Sequence, residues 1–222
     1  MSLKNRFTAQ DLDRIKAAVK QSEEQISGEI VPVFVERSGF YTIANYRSAM
    51  IFATLAFLVI IGVDRYVPDQ YASTWAVYDP LIIFLIVIMG GMVGALAAHN
   101  IGPVKRLMLS QTHMDQATRK RAENAFLEEE VFNTRHRTGI MIFVSFFEHE
   151  VMIMADRGIS KVVEQKEWDK IVRNIIEKVR MGKVTEGIET SILRCGELLL
   201  EKGFIKTPDD INELRDDLRI EG

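Results

Sequence analysis

Two carboxylates and two guanidinium groups, each placed at the end of an apolar run, are the residues of this 222-residue chain best suited to chemistry. Glu29 opens the run 29–36, Arg137 and Thr138 precede the run 139–147, and Asp156 and Arg157 follow the run 151–155. Carboxylates offer hard oxygens to Ca²⁺ or Mg²⁺, and an arginine fork can hold a phosphate through two parallel hydrogen bonds. Glu29 and Asp156 are therefore the candidate metal ligands, and Arg137, Thr138 and Arg157 complete a candidate site. The same residues admit a structural reading, because a calcium site wants roughly 6–8 oxygens and two carboxylates fall short. In that reading Asp156 satisfies backbone donors at a turn and Arg137 pairs with Glu29.

Other catalytic patterns are missing. The chain contains no GxSxG, no phosphate-binding P-loop and no HExxH. His99, His113, His136 and His149 lack metal-ligand spacing. Glu128, Glu129 and Glu130 read as a solvated helix end, and Arg119, Lys120 and Arg121 as a solvated helix face. With a formal charge of −3, nothing marks the chain as a nucleic-acid binder. The one cysteine, Cys195, falls in a helical pattern as a small core residue, and the polar first residues predict no cleavable signal peptide.

The elements that must position these groups can be read from periodicity. Thr8 with Asp11 forms a capping box, Phe7 with Leu12 a hydrophobic staple, and Leu12, Ile15, Val19, Ser22 and Ile26 share one helical face before Ser27 and Gly28. Residues 29–36 read as a strand, which Pro32 assigns to a sheet edge or a bulge. Residues 139–147 and 151–155, split by Glu148, His149 and Glu150, read as a hairpin with both strands covered on both faces. A helix over 111–132 precedes the hairpin. Helices over 164–181 and 184–202 follow it, ending at Gly182 and Gly203. Thr207, Pro208, Asp209 and Asp210 predict a short tail helix with Ile211, Leu214 and Leu218 inward.

Between the first strand and the helix over 111–132 the chain changes solvent. Residues 48–63 and 80–104 carry no charge, and a bilayer span needs about 20 largely apolar residues; the second run qualifies outright, the first only with Tyr46, Arg47 and Tyr66 counted as interfacial ends. Ala49, Ala53 and Ala56 on one span and Gly90, Gly91, Gly94 and Ala98 on the other are small residues that let two helices approach closely. Arg37, Arg47, Lys105 and Arg106 flank the outer ends, whereas the connector 64–79 is acidic. The positive-inside bias then places both polar parts in the cytoplasm. With no carboxylate inside either span, and His99 near the end of the second reading as interfacial, the pair reads as an anchor and not a conducting path.

Neither polar part closes a core alone. Pairing 29–36 parallel to 139–147, with the helix over 111–132 as crossover, makes one discontinuous domain of 1–40 plus 104–222, interrupted by a transmembrane hairpin over 41–103. That topology gathers Ser27, Gly28, Glu29, Arg137, Thr138, Asp156, Arg157 and Gly158 on one sheet rim. The membrane helices leave from the other rim, beside Glu148 and His149.

The string SGEI at 27–30, preceded by Glu24, and RTGIMIFVS at 137–145 resemble the TPM domain family. The likeness continues through ADRGI at 155–159 and then Trp168, Gly182, Gly187 and Gly196. It points to the compact bacterial branch, from which the inserted spans are a departure. The resemblance implies an α/β/α sandwich on a small mixed sheet. It also carries associations with photosystem II repair in plant and algal relatives, with phosphatase activity, and with calcium in some members. The expected role is a two-pass protein of the bacterial inner membrane, both termini cytoplasmic, whose TPM-like domain binds a membrane-protein partner. The alternative is a metal-assisted phosphatase at the rim of Glu29, Arg137 and Asp156.

Overall fold

In a computed structural model, residues 6–66, 79–207 and 212–221 are described. The chain divides into two compact units, one of Met1–Gly39 with Asp115–Gly222 and one of Phe40–Met114.

The first unit is a mixed α/β sandwich. Its strands are β1 (Glu29–Val35), β2 (Gly139–Ser145), β3 (Glu150–Ala155) and β4 (Arg219–Glu221), in the order β3-β2-β1-β4. β1 runs parallel to β2 with Glu29 opposite Gly139, and β3 returns antiparallel with Ala155 opposite Ile140. Period-two alternation sorts the side chains into two cores. Ile30, Phe34, Ile140, Ile142 and Val144 face one side. There they meet α1 (Ala9–Glu23), α7 (Gln165–Arg180) and α8 (Val184–Glu201) through Ile15, Val19, Trp168, Ile171, Ile175, Ile188, Ile192 and Leu199. Val31, Val33, Val35, Met141 and Phe143 face the other side, against Ala122 and Ala125 of α5 (Gln111–Glu128) and against Val131. Each large aliphatic side chain fully buried in this way contributes about 1.5–3 kcal/mol.

The local signals act as the sequence indicates at several ends. The Thr8 hydroxyl accepts the Asp11 N–H at 3.2 Å while the Asp11 carboxylate accepts the Thr8 N–H at 2.9 Å. Helix α1 nevertheless stops at Glu23, before Ser27, because Ile26 leaves the helix to bridge Ile205. Helix α7 ends at Arg180, and two residues on stands Gly182, whose φ of +76° glycine adopts without strain. Helix α5 closes at Glu128, one turn short of the expected 132.

Three expectations are corrected. Pro32 does not hold β1 at an edge: β1 is central, between β2 and β4. The Glu29 N–H donates to the Thr138 carbonyl on the β2 side and the Ile30 N–H points the opposite way, so the residue lacking a donor, Pro32, also faces away from β2. There it lies just before β4 begins its pairing at Val33 with Arg219. The missing donor therefore falls where no partner strand yet runs. Secondly, β2 is covered on both faces but β3 is an edge strand, half-buried along its length. Thirdly, of the tail expected as a helix, 208–211 lie outside the described residues, and the chain beyond ends in the strand β4. β4 is tied in by Arg219, which is buried and meets Glu129 at 2.9 Å.

The second unit holds α2 (Thr42–Tyr66), α3 (Pro80–Asn100) and the short α4 (Gly102–Leu107). Asp79 caps α3 by accepting the Leu81 N–H at 2.8 Å, with Pro80 in the first turn. The connector expected to face outward lies mostly in 67–78, outside the described residues. Helices α2 and α3 are long and apolar enough to cross a membrane, and only 6% and 11% of their most apolar stretches are buried. A core helix of a soluble protein would be mostly covered. The two pack on their small residues: a Cβ on Gly94 would stand 2.6 Å from the Ser48 carbonyl oxygen, and one on Gly90 would stand 2.8 Å from the Ala56 methyl.

Candidate functional site

The register brings the sequence-selected residues to one end of the sheet. Glu29 begins β1, Thr138 precedes β2, and the Asp156 N–H closes the β2–β3 ladder on the Gly139 carbonyl at 2.9 Å. The backbone is tightly packed here. Arg137 takes a φ of +57°, and a Cβ on Gly139 would fall 1.9 Å from the Val131 carbonyl oxygen, so no larger residue fits.

Within the rim the groups are mostly spent on the fold. Asp156 is buried and caps the one-turn α6 (Arg157–Ser160), its Oδ1 accepting the Arg157 N–H at 2.7 Å. Its Oδ2 is buried without a hydrogen-bond donor and lies 3.7 Å from Arg137 Nη1. Arg137 also donates to the Phe132 carbonyl at 2.8 Å and lies over the Phe132 ring. Its carboxylate partner is therefore Asp156, and the pairing with Glu29 considered from sequence is not formed. The Thr138 N–H donates to Thr134 Oγ1 at 3.0 Å, and Arg157 is exposed. Glu29 turns to the other side of the sheet end. Its two oxygens accept the Glu213 N–H at 3.1 Å and the Leu214 N–H at 3.3 Å.

Few oxygens are left for a hard cation among the described residues. Glu29 directs both oxygens and Asp156 one oxygen at backbone donors, and among the described residues no three His, Cys, Asp or Glu side chains converge on a point that could hold a metal.

Two acidic clusters that sequence reasoning passed over are more unusual. At the rim, Glu23 is buried at 6% exposure and accepts the Ile30 N–H at 2.8 Å through Oε1, while its Oε2 has no partner. It lines a pocket of about 160 Å³ with Lys20, Glu24, Ile26, Glu29, Lys206, Asn212 and Asp216. Burial, and then the neighbouring Glu29 charge, push its carboxyl up to about 8. At the opposite end, Glu148 of the hairpin turn is buried at 1% exposure and accepts the Ser38 N–H at 2.9 Å as well as a hydrogen bond from the Ser145 hydroxyl. Glu150 beside it is raised to about 7 by burial and by a hydrogen bond shared with the Asp115 carboxyl. The three-residue spacing of Ser145 and Glu148 is the local signal for the Glu148 cluster. Glu23 offered none, since a glutamate ending an amphipathic helix is ordinarily solvated. Cys195 is a buried core residue, its thiol pushed up to about 12 by burial.

With this geometry in place, the chain can be set beside known proteins. Residues 104–198 match the model of the TPM domain. The NMR structure of the BA42 protein from the psychrophilic bacterium Bizionia argentinensis superposes with a TM-score of 0.58 at 18% identity, covering 97% of this chain and 95% of that one. That likeness is one of fold. No curated protein matches the sequence.

Proposed function

Because this chain carries a TPM domain, we propose that it is a membrane-anchored interaction module. A discontinuous domain of 1–40 plus 104–222 binds a membrane-protein partner, and the hairpin over 41–103 holds it at the bilayer. The observation that carries this reading is the pair α2 and α3. Their apolar surface is left almost wholly uncovered, and they are inserted into a domain in which Glu29 and one oxygen of Asp156 are already engaged by its own backbone. Exposed apolar area on that scale favours lipid over water at about 25 cal/mol per Å². The location that follows is a bacterial inner membrane crossed twice, with both termini cytoplasmic, in keeping with the basic residues that flank the outer helix ends.

The test begins with the full chain purified from native membranes in mild detergent. A stoichiometric membrane-protein partner is expected, together with no turnover of a phosphomonoester with or without Ca²⁺ or Mg²⁺. Metal-dependent turnover lost in Asp156→Ala would replace this reading with that of a phosphatase. A reporter fused after Gly222 and active only outside the cytoplasm would overturn the orientation.

A further inference from the structure

The antiparallel ladder decides which way each main-chain group of β3 points. The Asp156 N–H turns inward to the Gly139 carbonyl, so by alternation Met154 and Met152 also bond to β2. Val151, Ile153 and Ala155 then direct their N–H and C=O groups away from the sheet, where no strand pairs with β3 among the described residues. Natural edge strands are blunted by lysine, proline or a bulge. The stretch Val151–Ala155 has none of these and is apolar at every position.

This edge is protected by recession. Residues Val151, Met152, Ile153 and Met154 form the floor of a groove of about 390 Å³ whose walls come from two helices. Helix α5 supplies Arg119 and Glu123, and α7 supplies Gln165, Asp169 and Val172. Walls that rise on both sides of the strand keep out a second sheet with helices of its own, and leave room for one extended segment. The charges specify that segment further. Arg119 and Glu123 neutralise each other at 3.0 Å, whereas Asp169 is exposed and bonded only to the neutral Gln165 side chain at 3.0 Å. The α7 wall therefore presents one uncompensated negative charge beside the apolar Val172.

We propose that the β3 edge is a strand-addition site for an extended, apolar segment of a partner protein that carries a lysine or arginine on the side facing Asp169. The partner's backbone pairs with Val151, Ile153 and Ala155, and its alternate side chains enter against the α5 and α7 walls. A strand laid along 151–155 spans about 17 Å at the usual rise per residue. The proposal rests on the interaction-module reading and says how such a module would grip.

A library of random dodecapeptides selected on the full chain in lipid nanodiscs tests it. Enriched peptides should alternate apolar residues, carry a basic side chain at a fixed register, and slow amide exchange at Val151 and Ile153. Val151→Pro deletes an outward donor without touching the β2 ladder and should weaken these peptides roughly three- to tenfold. Asp169→Lys, on the exposed face of α7, should switch the enriched charge from basic to acidic. If no enriched peptide protects the edge, or if binding is indifferent to both substitutions, the proposal is overturned. The two readings separate in native membranes. A partner retained by both variants leaves the module standing and removes the edge, whereas a wild-type chain that binds edge peptides but holds no partner does the reverse.

Discussion

Glu23 shows how one side chain can set the pH response of a fold. Its Oε1 caps the Ile30 N–H on the stretch of β1 that β4 does not reach, so the carboxyl replaces a missing strand. Its Oε2 lies buried without a partner, and burial with the nearby Glu29 charge raises its titration to about 8 from an ordinary 4.5. The folded state thus holds a proton that the unfolded state gives up above 4.5. The stabilisation from that proton is complete below 4.5 and is lost as the pH rises to about 8. Over that window the loss is on the order of 5 kcal/mol. Glu23→Gln keeps the Ile30 bond without the ionisation. Thermal melts in nanodiscs between pH 5 and 9 should show wild type losing stability with rising pH and the variant losing much less, the two diverging most at pH 9. Parallel curves would mean that Glu23 ionises in place at an ordinary pH. None of this was legible in the sequence, because the burial of Glu23 depends on where β1 and residues 204–206 settle against the end of α1. The residues at run ends were legible: Glu29, Thr138 and Asp156 reach one rim because the parallel register of β1 and β2 follows from the apolar pattern.

At the scale of elements, what the sequence indicated best was periodicity with a clear stop. Helices α1, α7 and α8 and the β2–β3 hairpin lie close to their expected limits, because capping boxes, apolar stripes and terminal glycines are local. Pairing partners are not local. The placement of β1 at the centre of the sheet depends on β4, three residues almost two hundred positions away, and Pro32 argued for the opposite. The tail pattern Leu214 and Leu218 suits a helix as well as an irregular segment that packs inward, and only the open flank of β1 decides. The small-residue stripe of α2 and α3 was readable because close approach between helices leaves a compositional trace. Gly94 is its tightest point, with the Phe52 Cβ 2.7 Å from where its own Cβ would sit. Gly94→Leu should therefore push the helices apart. Cysteines introduced at Ala53 and Gly91, whose Cβ positions are 3.6 Å apart, should cross-link readily in the wild-type background and poorly in this variant. Equal cross-linking would show that the pair is held by something other than close packing.

At the scale of the molecule, the question is whether the polar domain needs the hairpin to fold. The two ends of the chain at which the hairpin is inserted are tied to the same feature. Ser38 is held by its N–H to Glu148 at 2.9 Å, and Asp115 shares a hydrogen bond with Glu150, two residues further along the β2–β3 turn. Gly39 and Asp115 thus emerge near each other at one end of the sheet, and the domain's cores contain no residue of α2 or α3. Closing a loop costs free energy only as the logarithm of its length, so the long detour through 40–114 burdens the fold little, and a short bridge should serve as well. A flexible Gly-Ser linker of about nine residues spans roughly 15–18 Å. Replacing 40–114 with it should give a soluble monomer whose amide spectrum shows the β1–β2 and β2–β3 pairings and whose unfolding is cooperative. Retained pairing would establish that the two distant pieces of chain form one domain by their own packing. If the linked form collapses without dispersed amide shifts, the anchor contributes to folding as well as to location, and the division into an autonomous domain and an inserted hairpin fails.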